Sequence, residues 1–555
     1  HADQARVFDT IIDTTSKAFL GLTLSCCRCH DHKFDALSMQ DYYSLYGVIA
    51  SSRLDFANTV SSENCTELKA DLLQKKKTVR EALISHIESA FNDLDLTTPE
   101  QCSTLSEQLK ANEAWNQEDH PLYPLTAVLL ASDADTRRVA WNRFKQIPAP
   151  ENKNLKNFIG PGSPSAWFSS GPGFDCEQRP PGTVVISPTG KVLLNAIVGS
   201  SWVAGDLTSR LAGSLKSPTF VLPKKLSLRV QGRHGRARLY VQHYEMVGQG
   251  PTTTSLDIPI NKDAWHWISF DTRLWEGKSA YLELLQNGDQ MQFISRKQHD
   301  WRHEEDGYLA VDQVVVGEPT QSNSKMSSVI AAWQIAGEPP ESLVDATAFF
   351  LDRIEDLLEQ WKAATVDRSG EEILASLFAV GGLWEVACDE EKPLRKMVED
   401  YRQQMQSIPK PIYARSLTDG PGTDEALHIR GNPAAPSKDP AKRHFLDALD
   451  PQPFTEWGSG REKWATAATV VGKPLTARVE ANRIWYRLFG KGIVETVDNF
   501  GVKGSKPSHP ELLDGLAEDF VRNGWSRKEL IRKLVLSSTY RMSTQASPKS
   551  LAIDP

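Results

Sequence analysis

Apolar residues return every three or four positions along several stretches of the chain, which is the spacing of one buried face of an α-helix. In residues 4–24, Val7, Ile11 and Leu22 belong to such a face, so we predict one helix there. The same spacing predicts helices over residues 66–94, 104–117, 124–146 and 341–406.

Short signals predict where some helices begin and end. Ser38 followed three residues later by Asp41 predicts a capping box at the start of an aromatic-rich helix. Towards the other end of the chain, Thr476 is expected to cap a helix that Gly490 ends in a left-handed conformation. Residues 508–511, Ser-His-Pro-Glu, predict a second capping box with proline in the first turn.

A different pattern occupies residues 165–318, where short runs of alternating apolar and polar residues are separated by Gly, Pro, Asn or Asp. This spacing predicts β-strands, and their number predicts a sandwich or jelly roll. The predicted strands are residues 183–186, 226–230, 238–241, 265–270, 280–284 and 311–316.

The patterns together predict a multidomain α+β fold, with mostly helical N- and C-terminal parts around a central all-β sandwich or jelly roll. We expect the two helical parts to build one unit, with the β module as an insertion or a neighbour. The expected domains are a helical domain over residues 1–147, the β module over 165–318, a helical connector over 341–408 and a helical C-terminal domain over 409–555.

Composition narrows the class of protein. The 555 residues carry 40% hydrophobic and 24% charged residues, which is ordinary for globular domains. The net charge of −8 comes without a basic stripe, so we expect no nucleic-acid partner. No apolar run approaches the roughly 20 residues of a transmembrane helix. No signal peptide precedes His1, which lies within a predicted helix, so we expect a fragment or a processed form.

Three of the seven cysteines fall within four residues, and this cluster carries the candidate chemistry. Cys26 and Cys29 stand three apart with His30 next, which is the C-x-x-C-H pattern of covalent c-type haem attachment. Two thiols on one turn match the two vinyl groups of a haem, and the adjacent imidazole becomes the proximal ligand of the iron. We therefore predict one haem c on Cys26, Cys29 and His30.

A zinc site is the alternative interpretation of the same residues. The stretch C-x-x-C-H-x-H offers up to four ligands if His32 joins the set, and a third thiol, Cys27, suits metal binding or a disulfide at least as well as a haem motif. No second ligand cluster follows at the spacing of a zinc finger. The remaining cysteines are widely spaced, and Cys65 with Cys102 is a candidate disulfide in an exported protein.

The residues around the cluster resemble a known family. Residues 13–23, the Cys cluster, the segment His30-Asp31-His32-Lys33-Phe34-Asp35 and the triplet 41–43 are similar to planctomycete-type cytochrome c proteins. These proteins carry paired domains of unknown function, the first with the C-x-x-C-H motif. The resemblance implies a haem. It also implies export, because c-type haem is attached on the far side of the cytoplasmic membrane.

The C-terminal part resembles the second domain of that family. The similar blocks, in order, are residues 428–432, 442–446, 474–479, 482–485, 489–494, 498–501, 509–513 and 538–541. The family usually has a histidine after the Arg-Gly-Asn of the first block, and this chain has Pro433 there. A role of that histidine therefore does not carry over to this chain.

These features predict an exported c-type haem redox protein, either an electron relay or a haem oxidoreductase. The sixth iron ligand decides between them, because a strong ligand makes a carrier and an open position makes an enzyme. His32 and His509 are the candidate catalytic residues beside the haem, and His428 and His444 are further histidines that tertiary folding would have to bring near it. The expected redox partner is another protein or an upstream cytochrome domain.

A link to polysaccharide breakdown, and hence an oxidoreductase that acts on carbohydrate, is expected from the β module, which resembles galactose-binding-like carbohydrate-binding modules. The candidate sugar-stacking residues are Tyr244, Trp275 and Trp301, with core packing as the alternative role.

The alternative function is a non-catalytic glycan-binding or surface-scaffold protein with a zinc or disulfide Cys cluster. A third is a metal-dependent enzyme that uses Cys29, His30 and His32. The expected location is periplasmic or extracellular.

Overall fold

The structure is a computed structural model that describes most of the chain. The described residues are 2–58, 62–93, 96–118, 120–147, 167–174, 178–190, 192–211, 213–241, 256–286, 306–317, 330–386, 393–456, 458–543, 545 and 547–553.

Helices dominate both ends of the chain, and strands dominate its centre. The described helices are α1 (Ala2–Leu20), α2 (Met39–Ala50), α3 (Ser62–Asn92), α4 (Pro99–Lys110), α5 (Tyr123–Leu129), α6 (Ala134–Lys145), α7 (Leu343–Lys362), α8 (Arg368–Phe378), α9 (Pro393–Ser407), α10 (Arg461–Val470), α11 (Lys473–Phe489), α12 (Pro510–Arg522), α13 (Arg527–Val535) and α14 (Pro548–Ile553). Short 3-10 turns lie at Leu24–Arg28, Glu113–Asn116, Arg273–Trp275 and Ile429–Gly431.

The strands form one large antiparallel sheet and three two-stranded ones. They are β1 (Ser52–Asn58), β2 (Phe168–Ser170), β3 (Thr183–Ile186), β4 (Leu194–Val198), β5 (Trp202–Ala204), β6 (Ser214–Lys216), β7 (Phe220–Val221), β8 (Lys225–Val241), β9 (Asp257–Asp271), β10 (Ser279–Gln286), β11 (Tyr308–Val316), β12 (Tyr413–Asp419), β13 (Glu425–His428) and β14 (Pro436–Ala441). The predicted multidomain α+β class, with helical ends and a central β region, is confirmed.

The chain forms two compact units, and its two ends build the first one. The first unit comprises His1–Asp55 and Leu417–Pro555, and the second comprises Phe56–Ser416. These units divide the chain at other places than the expected domain boundaries. The chain leaves the first unit within β1 and returns within β12, and these two strands pair with each other.

Polar residues with capping side chains divide the long predicted helices of the second unit. Residues 124–146 form α5 and α6, because Asp133 accepts a hydrogen bond from the Thr136 N–H and starts a new helix. Residues 341–406 form three helices, and Asp367 caps α8 in the same way through the Gly370 N–H. The helical spacing continues across these breaks, which is why periodicity alone did not locate them.

The central sheet is curled around its longest strand, β8. The strand order is β2-β6-β10-β8-β11-β5, with β9 also on β8 and β7 on β10. β11 pairs with the first half of β8 and β10 with its second half, while β9 follows its length. Residues 226–230 and 238–241, predicted as separate strands, are one strand, because a bend around His234 (φ 56°) interrupts the pairing register without ending it.

The second unit has apolar clusters on both faces of the sheet. One is formed by alternate residues of the large sheet, such as Leu228, Leu239 and Leu282. The hairpin β3–β4 contributes Val185 and Val198 to a smaller cluster on the other face. The opposite side chains of the hairpin pack into the core of helices α3 to α9. The hairpin therefore joins the helices of this unit to its sheet.

The first unit confirms two of the local helix signals and corrects two others. The Ser38–Asp41 capping box is present at α2, and Gly490 ends α11 at φ 80°. Thr476 does not cap α11, which begins three residues earlier; its hydroxyl donates to Ala468 O. The predicted capping box at Ser508 is absent, because His509 is the N-cap of α12 and makes no side-chain capping bond.

None of the described helices is long and apolar enough to cross a membrane.

Candidate functional site

The candidate site is a short turn directly after α1, which we call the cysteine turn (Leu24–Arg28 with Cys29 and His30). The helix stops at Gly21, whose left-handed conformation (φ 62°) redirects the chain. The Ser25 hydroxyl donates to Asp13 Oδ1 at 2.6 Å and ties the turn back to α1. The turn therefore leaves the helix in a defined direction.

The structure separates the three cysteines by burial. Cys26 and Cys29 are exposed and free, whereas Cys27 is buried. The Cys27 Sγ lies 3.7 Å from the carbonyl oxygen of Leu37, and burial raises the pKa of this thiol to about 12. Because side chains three residues apart lie on the same side of a 3-10 turn, the two exposed thiols share one side. Cys27 anchors the turn in the core.

His30 is exposed beside these thiols, and one of its ring nitrogens is already engaged. Nδ1 lies 2.7 Å from the carbonyl oxygen of Asp31. A carbonyl oxygen can only accept, so Nδ1 carries the hydrogen and Nε2 keeps a lone pair. A histidine that binds a metal through one nitrogen usually donates the other N–H to such an acceptor. The ring is therefore in the tautomer that a metal ligand needs.

His32 holds the loop that follows the cysteine turn. Its Nδ1 accepts hydrogen bonds from the backbone N–H of Phe34 and of Asp35, and its Nε2 lies 3.1 Å from the Thr23 hydroxyl. Both ring nitrogens thus have partners within the loop. His32 therefore acts in this structure as a positioning residue. Its ring could take part in chemistry directly only if these hydrogen bonds broke.

One side of Cys29 is covered by Gly431, from a distant part of the chain in the same unit. A Cβ atom on Gly431 would lie 2.6 Å from the Cys29 sulfur, so a larger residue at this left-handed position (φ 71°) would strain the backbone and force the sulfur to move. Arg28 strengthens the contact through an Nη2 bond to Gly431 O at 3.4 Å. The sequence did not predict this contact, because about 400 residues separate the two segments and no local pattern relates them.

His428, three residues before Gly431, belongs to an aromatic cluster. Its ring contacts Tyr43 and Tyr46 edge-on, with centroids 5.0 and 5.5 Å away. Burial lowers the pKa of His428, and the nearby positive charge of Arg28 lowers it further. His428 is therefore a neutral packing residue in this arrangement.

The remaining candidate histidines make no described hydrogen bond or ion pair with the cysteine turn. His509 is exposed, and its Nδ1 lies 3.0 Å from the Ser508 hydroxyl. His444 is buried next to Asp41 and Asp447. Among the described residues, no bond of these kinds connects the predicted catalytic residues His32 and His509.

The arrangement fits haem attachment better than zinc binding. Two exposed thiols and an imidazole with a free Nε2 are the groups that haem c requires. A zinc site needs about four ligand atoms around one ion. Within the described residues, no three of Cys26, Cys29, His30 and His32 bring their ligand atoms within 4.8 Å of one another. Cys102 is also free, with its Sγ 3.2 Å from Leu96 O. The side chain of Cys65, its candidate disulfide partner, lies outside the described residues.

Long-range hydrogen bonds join the N-terminal segment of the first unit to its C-terminal segment. The Phe500 N–H donates to Gly21 O at 2.7 Å, next to the cysteine turn. The Val502 N–H donates to Asp35 Oδ1 at 2.7 Å. Arg483 donates to the carbonyl oxygens at the end of α1. The residue blocks that resemble the family's second domain therefore support the loop that carries the C-x-x-C-H motif.

Two family models match these same segments. Residues 1–54 match PSCyt2, described as a protein of unknown function (DUF1549), and residues 460–555 match PSD1, described as a protein of unknown function (DUF1553). The chain carries the paired planctomycete cytochrome c-type domains. The PSCyt2 segment contains the whole cysteine turn, and the PSD1 segment contains Arg483 and Phe500.

The PSD1 match begins at residue 460, so the blocks over residues 428–432 and 442–446 lie outside it. Gly431 and His444 belong to those blocks, and Pro433 stands where the family usually has histidine. No curated protein and no solved structure matches this PSCyt2–PSD1 chain.

Of the three candidate sugar-stacking residues in the central β region, one lies among the described residues. Trp275 is buried in the core of the large sheet, so its predicted role as a candidate sugar-stacking residue is replaced by core packing. Tyr244 and Trp301 lie outside the described residues. The polysaccharide link stays a prediction.

Proposed function

We propose that this protein is an exported c-type haem redox protein, with one haem attached at Cys26 and Cys29 and ligated by His30. The observation that carries the proposal is the burial pattern of the turn, which exposes these two thiols and buries Cys27. Haem bound there would supply one-electron chemistry.

The protein's own residues would hold and orient the group. Cys26 and Cys29 would form the thioether bonds, and His30 Nε2 would face the iron while the Asp31 carbonyl oxygen fixes the ring through Nδ1. Gly431 lies against one side of Cys29 and leaves room for its sulfur. The loop around His32 keeps the turn in place.

The redox role divides into an electron relay and a haem oxidoreductase. A relay would pass electrons to a partner protein or to an upstream cytochrome domain. An oxidoreductase acting on carbohydrate would need an open position on the iron. Export to the periplasm or beyond follows from the proposed haem attachment, and the polysaccharide link is the least supported part, since it rests on the style of the β region.

The test is the visible spectrum of the protein produced in a host that attaches haem c. We expect a haem band that survives acid-acetone extraction and a sharp α band on reduction. Carbon monoxide binding to the reduced form would identify an open position and an enzyme, and its absence would identify a relay.

Cysteine variants make this test specific. Cys26→Ser and Cys29→Ser should each lose the covalent attachment at that thiol, and the double variant should lose haem on extraction. Cys102→Ala is the matched control, because Cys102 is also free but lies in the second unit. Wild-type protein that is exported, folded and colourless would overturn the haem proposal.

A further inference from the structure

A second group of potential ligands lies in the first unit, apart from the cysteine turn, and consists of Asp41, His444 and Asp447. Each offers one ligand atom, and these atoms lie within 4.8 Å of one another. Asp41 comes from the first turn of α2, and the other two come from the loop after β14. More than 400 residues separate the two sides of the group.

The imidazole of His444 is buried without a hydrogen-bond partner. The residue is 5% exposed, and its Nδ1 is among the buried atoms that have no partner. Its Nε2 lies 3.6 Å from Asp447 Oδ1, which is longer than a hydrogen bond. Leaving the buried Nδ1 without a partner costs about 1–3 kcal/mol.

The two carboxylates also lack a permanently charged partner among the described residues. Asp41 is 1% exposed, and it accepts hydrogen bonds from the Ser38 N–H and the Asp447 N–H. Within the part of the chain that the structure describes, neither Asp41 nor Asp447 forms an ion pair with a lysine or an arginine. A divalent cation bound between these carboxylates and the imidazole would interact favourably with both negative charges.

The surrounding residues hold the three side chains in place. Ser44, one turn after Asp41 on α2, accepts from the His444 N–H at 2.6 Å and donates to the His444 carbonyl oxygen at 2.8 Å. The Ser38 hydroxyl lies 3.0 Å from Asp41 Oδ2 and 3.3 Å from Asp447 Oδ2, and its one hydrogen can be donated to either carboxylate. Ligand side chains in metal sites are typically oriented by such neighbouring bonds.

We propose that Asp41, His444 and Asp447 bind a divalent first-row transition-metal ion such as Mn²⁺, Fe²⁺ or Zn²⁺. One nitrogen and two carboxylate ligands favour these ions over Ca²⁺ and Mg²⁺, which take all-oxygen sets. Three protein ligands leave coordination positions open, as in catalytic metal sites. The Asp447 side chain is 47% exposed, so water or a small anionic substrate can reach the ion from its side. This proposal stands independently of the haem.

The test is metal binding by the full chain after removal of metal with a chelator. Mn²⁺ is the first probe, because thiolates bind it weakly and the cysteine turn would not compete. We expect one Mn²⁺ per chain in titrations followed by electron paramagnetic resonance, with competition by Zn²⁺ and little by Ca²⁺.

Asp447→Asn is the informative variant, because this ligand is exposed and its replacement leaves the core intact. We expect at least about tenfold weaker Mn²⁺ binding. Asp439→Asn is the matched control, since Asp439 is an exposed acidic residue on the nearby β14 and should leave binding unchanged. Circular dichroism checks that both variants fold.

Two results would overturn the proposal. One is the absence of stoichiometric binding of Mn²⁺ and Zn²⁺ to the wild-type chain. The other is equal affinity in Asp447→Asn and wild type, which would place the bound ion elsewhere.

Discussion

Burial distinguishes three cysteines that are neighbours in sequence. Cys27 points into the core, so its thiol stays protonated at neutral pH and is a poor nucleophile and a poor ligand. Cys26 and Cys29 remain accessible on the other side of the turn. The third cysteine, which suited metal binding or a disulfide at least as well as haem attachment when only the sequence was considered, is explained by packing.

The close contact between Gly431 and Cys29 can be tested by substitution. Alanine at this position would have to adopt φ 71° and would place its Cβ 2.6 Å from the Cys29 sulfur. We expect Gly431→Ala to destabilise the first unit by about 1–3 kcal/mol. The measurement is the hydrogen-exchange protection of the α2 amides, which belong to the same unit.

A second glycine of the same unit serves as the control for this substitution. Gly515 lies within α12 with open space around its Cβ position. We expect Gly515→Ala to stabilise the unit by about 1 kcal/mol, because alanine favours helix. Equal protection in the two variants would mean that the contact of Gly431 with Cys29 does not contribute to stability.

At the scale of elements, the end of α1 depends on a side chain from α11. Arg483 donates to Ala18 O and Lys17 O at 2.8 Å each, in the last turn of α1. Lys17 O also accepts a hydrogen bond from the Gly21 N–H at 3.1 Å. Asp498 pairs with the same guanidinium. The helix that leads into the cysteine turn is therefore capped from a segment more than 460 residues away.

Arg483→Ala should reduce the stability of this junction by about 1.5–3 kcal/mol, the range for hydrogen bonds made by charged groups. The expected readout is faster hydrogen exchange in α1. Arg532→Ala is the control, because Arg532 is 66% exposed and its described ion pair is with Glu529 one turn away. Its effect should stay below about 0.5 kcal/mol. Similar effects of both substitutions on α1 would contradict the capping role of Arg483.

At the scale of the whole molecule, the first unit is discontinuous in sequence. Its two segments meet where the Gly420 N–H donates to Ser51 O at 2.8 Å, close to both chain crossings. A flexible linker of about six residues spans about 13 Å, which is enough to join chain ends that lie this close. The second unit can therefore be viewed as an insertion in the first.

Replacing residues 56–416 with such a linker should give a soluble protein that unfolds cooperatively. Thermal unfolding followed by circular dichroism is the measurement. The control removes residues 148–408 instead, the span between two of the expected domain boundaries. That protein keeps α3 to α6 without the α7 to α9 residues of their shared core, so it should aggregate. If the first excision also aggregates, the first unit does not fold alone.

Local sequence patterns determined much of the secondary structure. Helical periodicity located α1 and α3, alternation located β3 and β10, and the Ser38–Asp41 box marked the start of α2. These features depend on residues within a few positions of one another, so the sequence contains them directly. The C-x-x-C-H motif and the PSCyt2 and PSD1 resemblance are local in the same sense, because they depend on short blocks in order.

Only the tertiary structure decided which of these residues meet. The burial of Cys27, the approach of Gly431 to Cys29 and the group of Asp41 with His444 and Asp447 all involve packing that no local pattern encodes. Their partners are separated by up to about 400 residues, and closure of that long loop depends on the cores of both units. Sequence alone therefore identified the C-x-x-C-H motif. The fold brought Gly431 against Cys29 and assembled the proposed metal site.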